Sequence, residues 1–131
     1  MNNNRKTILV IDDDIDYLEQ MKIQLTSFGF NTIAAESQKE GEEIINKTKP
    51  DLVIVDMMME NQDSGFIFCY KFKKKYPDVP IIVATAVTAE TGMIFSLNTE
   101  EERSWIKADL YLEKGIRSDQ LQREINKLLK L

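Results

Sequence analysis

Three aspartates and one lysine form the most informative chemical pattern in the chain. Asp12, Asp13 and Asp56 follow apolar runs that are typical of β-strands, and Lys114 follows a later run of the same kind. Ligand sites of open α/β sheets lie at the carboxyl ends of the strands, so we expect these side chains to meet at one edge. Carboxylates a few ångströms apart repel by roughly 4 kcal/mol per pair at an effective dielectric constant near 20, so this group needs a divalent cation.

Magnesium fits this group best, because it takes oxygen ligands and the chain has no histidine and a single cysteine. A metal beside a carboxylate lowers the repulsion that an incoming phosphate would meet, and Asp56 could then act as a nucleophile. A calcium-binding EF-hand loop beginning at Asp12 is disfavoured, because Tyr17 stands where that loop needs glycine and Ile23 where it needs glutamate. We expect Asp14 to cap a helix instead of binding a metal.

Strands and helices alternate along the chain and must position these groups. The runs 7–11 and 51–55 are nearly all apolar and β-branched, as expected for central strands of a parallel sheet covered on both faces. Further strands are predicted at 30–35, 81–85 and 110–112. Five helices are predicted: the first covers 15–28, the second begins at the capping box of Ser37, the third covers 66–76, the fourth runs from Thr99 through Trp105, and the last begins at Ser118. Five βα units without linkers predict one domain, residues 1–131, with a doubly wound five-stranded parallel sheet and helices on both faces.

Composition and charge exclude several functions. The formal net charge is −5, with 22 acidic and 17 basic residues, so direct binding to nucleic acid is not expected. The lysines at 71, 73, 74 and 75 fit the solvated end of a helix, and Cys69 fits a buried thiol. The first residues lack the apolar stretch of a signal peptide, and no run approaches the roughly 18 apolar residues of a membrane span. We therefore expect a cytoplasmic protein without a membrane partner.

Over essentially its whole length, the chain resembles the CheY-like receiver domains of two-component response regulators. The resemblance is carried by the acidic pair after the first strand, Asp56 after the third, Thr85 after the fourth and Lys114 after the fifth. It implies the flavodoxin-like strand order 2-1-3-4-5. It also implies that Asp56 accepts a phosphoryl group from a histidine kinase or a phosphotransfer protein.

The resemblance assigns roles to the other residues of the pattern. Asp13 would bind Mg²⁺ directly, Asp12 largely through water, and the carbonyl of Met58 would be a further ligand. Thr85 and Lys114 would hold the phosphoryl oxygens, and Tyr111 matches the aromatic switch position. The domain would catalyse only its own phosphoryl transfer and dephosphorylation. Its output would be a changed surface formed by the fourth predicted helix, the fifth strand and the last helix, which acts on a downstream protein or an effector domain, or forms a homodimer.

Three departures from the family pattern concern loops. Glu60 replaces a usual proline, and the segment between Thr85 and Lys114 is longer than usual. Gly115 stands where proline normally follows the lysine, so we expect a trans Lys114–Gly115 bond and a less firmly held ammonium group.

Other functions remain as alternatives. A magnesium-dependent phosphohydrolase with an aspartyl nucleophile would need an acid where Met58 stands, and a flavin or nucleotide binder would need a glycine-rich turn after the first strand. A receiver used only as a scaffold would not need the five residues retained here. The sequence leaves open whether the chain is a stand-alone receiver or a piece of a longer regulator or hybrid kinase.

Overall fold

The computed structural model of the chain describes residues 5–56, 64–85 and 109–131. The strands are β1 (Thr7–Ile11), β2 (Asn31–Ala35), β3 (Leu52–Asp56), β4 (Ile81–Thr85) and β5 (Leu110–Glu113). The helices are α1 (Ile15–Ser27), α2 (Gln38–Lys47), α3 (Ser64–Lys75) and the last helix (Ser118–Leu129). The helix predicted from Thr99 through Trp105 lies outside the described residues. No helix in the described ranges is long and apolar enough to cross a membrane.

The five strands form one parallel sheet in the order β2-β1-β3-β4-β5, which confirms the predicted fold. β1, β3 and β4 are the central strands and are almost completely buried, because helices cover both of their faces. One apolar layer lies between the sheet and α2 and α3, and includes Ile45, Phe68, Cys69 and Phe72. The other lies beneath α1 and the last helix, and includes Leu18, Met21, Leu25, Leu121 and Ile125.

The helix ends follow the expected local chemistry. The Asp14 carboxylate accepts hydrogen bonds from the backbone N–H groups of Asp16 and Tyr17, which confirms Asp14 as the N-cap of α1. Ser37 caps α2 by accepting a hydrogen bond from the Glu40 N–H. After α1, Gly29 has a φ of 97°, a positive value that glycine adopts readily at the end of a helix.

Gly41 is a packing feature that the sequence analysis did not identify. A Cβ at this position would lie 2.6 Å from Ile11 Cδ1 and 3.2 Å from the Phe68 ring. The missing side chain therefore allows α2 to pack closely against β1 and α3.

Some predicted boundaries and burial assignments were wrong. α3 begins at Ser64, two residues before the predicted start, and β5 continues through Glu113. Ile15, the first residue of α1, has the helical spacing of Leu18, Met21 and Leu25 but is 56% exposed, whereas those three residues are buried. Cys69 is fully buried, as predicted, and burial raises the pKa of its thiol to about 12.

Candidate functional site

The carboxyl end of β1 positions the acidic pair. Asp12 directly follows the strand and is fully buried, and its backbone N–H donates to the Ala35 carbonyl at 3.1 Å. Its Oδ1 accepts a hydrogen bond from the Asp14 N–H at 2.9 Å. Asp13 is exposed at the rim of the site. The turn between β1 and α1 therefore presents one buried and one accessible carboxylate at the same edge.

Asp56 is the last residue of β3, beside β1, and is 8% exposed. Burial raises the pKa of its carboxyl to about 6, and the charges of Asp12 and, less strongly, Asp13 act in the same direction. Lys114 acts in the opposite direction but does not cancel these effects. The ionised form of the Asp56 carboxyl is therefore disfavoured by its surroundings, which is the situation that a bound cation would relieve.

The three carboxylates meet closely enough to share one cation. Asp12, Asp13 and Asp56 each offer one oxygen, and these atoms lie within 4.8 Å of one another. Asp12 Oδ2 is buried and lies 2.7 Å from the Lys114 ammonium group, with which it forms an ion pair. An all-oxygen donor set with one accessible carboxylate, that of Asp13, fits Mg²⁺. It is the one such group of potential ligands within the described parts of the chain.

Lys114 reaches this group from the end of β5. Its Nζ lies 2.7 Å from Asp12 Oδ2 and 3.3 Å from Asp56 Oδ1. Burial alone lowers the pKa of the ammonium group, but its contact with Asp12 and the negative charges of Asp56 and Asp12 outweigh burial and raise that pKa. The Lys114 N–H donates to the Thr85 carbonyl at 3.0 Å, which ties the lysine's backbone to β4.

The structure confirms one part of the prediction about Gly115. The described residues contain no cis peptide bond, so the Lys114–Gly115 bond is trans. Lys114 pairs with two carboxylates through its ammonium group. That this group is held less firmly than it would be beside a proline stays a prediction.

The remaining predicted residues lie at the same edge or next to it. Thr85 ends β4 and is 5% exposed, in a strand paired with β3. Tyr111 lies in β5 opposite Val83, and Val83 is two residues before Thr85 in β4. Tyr111 packs against the apolar layer under α2 and α3. Thr85 and Tyr111 therefore lie on the same face of the sheet. Met58 lies outside the described residues.

Sequence reasoning missed Tyr17. This residue lies in the first turn of α1, and its ring centroid is 4.9 Å from the Lys114 Nζ. Burial, followed by the charges of Asp12 and Asp56, raises the pKa of its hydroxyl well above the ordinary value. The available signal was an aromatic residue close after the acidic pair, at the mouth of the expected pocket.

A parallel sheet in this strand order, with an acidic cluster and a lysine at its carboxyl edge, defines a CheY-like signalling domain. The sequence model of the response regulator receiver domain family matches residues 8–126. The chain belongs to the response regulator receiver domain family.

Individual relatives agree with this assignment. The chain is 32% identical over 130 residues to the probable transcriptional regulator ycf27 of Porphyra purpurea, covering 99% of this chain and 50% of that protein. It is 36% identical over 86 residues to the transcriptional regulatory protein GlrR of Escherichia coli, covering 66% of this chain and 19% of that protein. The chain thus spans half the length of the first relative and a smaller part of the second.

Solved structures show the same fold. A putative response regulator from Chloroflexus aurantiacus has a TM-score of 0.82 at 23% identity, covering 98% of this chain and 100% of that one. The response regulator TrrA of Thermotoga maritima, solved in complex with Mg²⁺ and BeF, has a TM-score of 0.77 at 28% identity, covering 94% of this chain and 98% of that one.

Proposed function

We propose that residues 1–131 form one receiver domain that accepts a phosphoryl group on Asp56, in a magnesium-dependent reaction, from a histidine kinase or a phosphotransfer protein. The observation that carries the proposal is the group of three carboxylate oxygens within 4.8 Å, with Lys114 paired to two of the residues. Family membership and the complex of TrrA with Mg²⁺ and BeF support the same assignment.

Asp12, Asp13 and Asp56 would hold the magnesium ion, which supplies positive charge next to the incoming phosphoryl oxygens. The Met58 carbonyl remains a proposed further ligand. In the transfer, a carboxylate oxygen of Asp56 forms a bond to phosphorus while the bond from phosphorus to the donor's imidazole nitrogen breaks. That nitrogen keeps the electron pair. The products are an aspartyl phosphate and an imidazole, which is neutral because the ring carries a proton on its other nitrogen when it leaves.

Lys114 would move from the carboxylates to the new phosphoryl group. The phosphoryl group carries a charge of about −1.5 to −2, whereas each of the two carboxylates that the lysine contacts before the reaction carries at most a single charge. Thr85, at the end of the adjacent strand, would donate its hydroxyl to another phosphoryl oxygen. Apart from this transfer and the later removal of the phosphoryl group by hydrolysis, we expect no catalytic activity.

The conformational output would follow from the new contacts of Lys114 and Thr85 with the phosphoryl group. Thr85 and Tyr111 lie on one face of the sheet, so a shift of Thr85 toward the phosphoryl group would open space for the Tyr111 ring to move inward. The changed surface would act on a downstream protein, on an effector domain of a longer regulator, or on a second receiver. The full-length relatives that are transcriptional regulators support an effector domain as one such target.

Intact-mass analysis tests the phosphoryl transfer. The wild-type protein should gain one phosphoryl group from acetyl phosphate in the presence of Mg²⁺, and it should gain none in excess chelator. The Asp56→Asn variant should stay unmodified under both conditions. A phosphoryl adduct that persists in this variant, or that forms equally well in chelator, would contradict the proposal.

The fluorescence of Trp105, the single tryptophan, tests the switch. We expect its emission to change when the wild-type protein is phosphorylated or loaded with beryllofluoride, and to stay constant in a Thr85→Ala, Tyr111→Ala double variant loaded in the same way. Unchanged emission and unchanged amide shifts of β5 in a fully phosphorylated sample would count against the conformational part of the proposal.

A further inference from the structure

The ring of Tyr17 faces the ammonium group of Lys114 in the described structure. Its ring centroid lies 4.9 Å from the Lys114 Nζ, well inside the distance of about 6 Å at which an ammonium group is attracted to a ring face. Tyr17 also packs against the apolar layer beneath α1 and the last helix, as Leu112 and Ile116 do. Tyr17 is therefore held on one side by the core and faces the lysine on the other.

A closed chain of contacts fixes the ring relative to the acidic cluster. Asp12 Oδ1 accepts from the Asp14 N–H at 2.9 Å, and Asp14 Oδ1 accepts from the Tyr17 N–H at 3.3 Å. The Tyr17 ring faces Lys114, whose Nζ returns to Asp12 Oδ2 at 2.7 Å. The same N-cap that starts α1 thus places an aromatic face beside the ammonium group.

The ring completes the surroundings of the ammonium group. Two carboxylates contact Lys114 from one side, at 2.7 and 3.3 Å, and its side chain is 23% exposed. An aromatic face offers negative electrostatic potential but carries no formal charge and no oxygen ligand for a metal. It therefore attracts the ammonium group and leaves the metal to the carboxylates. The raised pKa of the Tyr17 hydroxyl keeps the ring neutral.

We propose that Tyr17 is a positioning residue for Lys114, which holds the ammonium group between Asp12 and Asp56 in the place where it meets the phosphoryl group. This inference rests on the proposed phosphorylation of Asp56. Without the ring, water would take its place and the lysine would reach more orientations that do not face the site.

Three variants separate the ring from its hydroxyl and from general packing. Tyr17→Leu keeps an apolar side chain but removes the aromatic face, whereas Tyr17→Phe keeps the face and removes the hydroxyl. Tyr70→Leu is the matched control, because Tyr70 also faces a lysine, Lys74, with its Nζ 5.6 Å from the ring centroid, but lies 54% exposed on α3.

The first measurement is the rate of phosphorylation by acetyl phosphate with saturating Mg²⁺. We expect Tyr17→Leu to be three- to tenfold slower than wild type, which corresponds to about 0.6–1.4 kcal/mol. Tyr17→Phe should remain within about twofold of wild type, and Tyr70→Leu should be unchanged. A Tyr17→Leu variant as fast as wild type, or a Tyr17→Phe variant as slow as Tyr17→Leu, would overturn the inference.

The second measurement is the NMR shift of the Lys114 ε-methylene protons in the unphosphorylated protein. The ring should shift these protons upfield in wild type and Tyr17→Phe, and they should return to the usual lysine value in Tyr17→Leu. Identical shifts in all three proteins would overturn the inference. If wild type takes no phosphoryl group, the proposed function fails, whereas the methylene shift still decides whether Tyr17 positions the lysine.

Discussion

Replacing Asp56 by asparagine should stabilise the metal-free protein at neutral pH. Asp56 is 8% exposed and has its pKa raised from 3.8 to about 6, first by burial and then by Asp12. At 1.36 kcal/mol per pH unit, this change corresponds to a penalty of at most about 3 kcal/mol for the ionised carboxyl. Screening at the mouth of the site reduces the penalty, so we expect Asp56→Asn to raise the free energy of unfolding by about 1–2 kcal/mol at pH 7. Lys114 keeps its partner Asp12 in this variant.

The gain should depend on pH with a defined sign. Because the pKa of Asp56 is higher in the folded than in the unfolded protein, the folded state binds more protons between about pH 4 and 6. The contribution of Asp56 to stability is therefore most favourable below about pH 4 and is lost as the pH rises through about 6. Asparagine does not titrate, so the two proteins should have similar stability near pH 4 and differ most above pH 6.

Urea unfolding in EDTA, followed by circular dichroism from pH 4 to 8, measures this difference. Asp78→Asn is a suitable control, because Asp78 is a surface aspartate whose pKa is lowered by a backbone hydrogen bond and by Lys49. It should be neutral or slightly destabilising at pH 7. A destabilised Asp56→Asn protein at pH 7, or a stability difference that does not shrink toward pH 4, would refute the reasoning.

Three further variants and one control test the contacts that support the site, each by urea unfolding. Gly41→Val should lower the free energy of unfolding by about 1–3 kcal/mol through overpacking. The control Gly115→Ala, whose Cβ meets nothing within 4 Å, should be neutral, and equal effects of the two would contradict the packing role. Asp14→Ala should cost about 1 kcal/mol through loss of the α1 cap, and an unchanged midpoint would exclude that role. Asp109→Ala should cost about 1–3 kcal/mol, because it removes the 2.9 Å ion pair with the partly buried Lys73 and the 2.8 Å hydrogen bond that Asp109 Oδ2 accepts from the Ile81 N–H. A neutral result would show that these two contacts contribute nothing.

Magnesium should also stabilise the folded protein, because a ligand that binds only the folded state shifts the unfolding equilibrium. Wild type should unfold at a higher temperature in Mg²⁺ than in EDTA, and Asp56→Asn should gain less, because it offers one carboxylate fewer. Differential scanning calorimetry measures both effects. An equal rise in the unfolding temperature of the two proteins would show that Asp56 does not bind the metal.

The sequence predicted the elements whose apolar pattern is continuous. β1 and β4 have the predicted bounds, because strands covered on both faces are nearly all apolar, and here a polar residue marks the end of each run, Asp12 directly after β1 and Thr85 as the last residue of β4. The same reasoning located Asp12, Asp56 and Lys114, since the carboxyl ends of parallel strands meet at one edge of the sheet. Strand order and register follow from pairing between distant segments, and here the resemblance to receiver domains supplied the order.

Features that depend on the distance between elements were not predicted. Helical spacing placed Ile15 on the apolar face of α1, but it could not show that this first residue of the helix is 56% exposed. Gly41 is explained by the close approach of α2 to Ile11, which a local pattern does not record. The contact of Tyr17 with Lys114 joins residues 97 positions apart in the chain (114 − 17), so it becomes visible only in the folded protein.

Chemical mapping of the phosphorylated residue tests the central claim most directly. An aspartyl phosphate is an acyl phosphate, so borohydride should reduce it to homoserine and leave unmodified aspartates unchanged. After treatment with acetyl phosphate and Mg²⁺, peptide mass spectrometry should find homoserine at position 56 alone, and none in a sample treated in chelator. Reduction at Asp12 or Asp13 in place of Asp56, or no reduction in a sample proven to carry a phosphoryl group, would contradict the account.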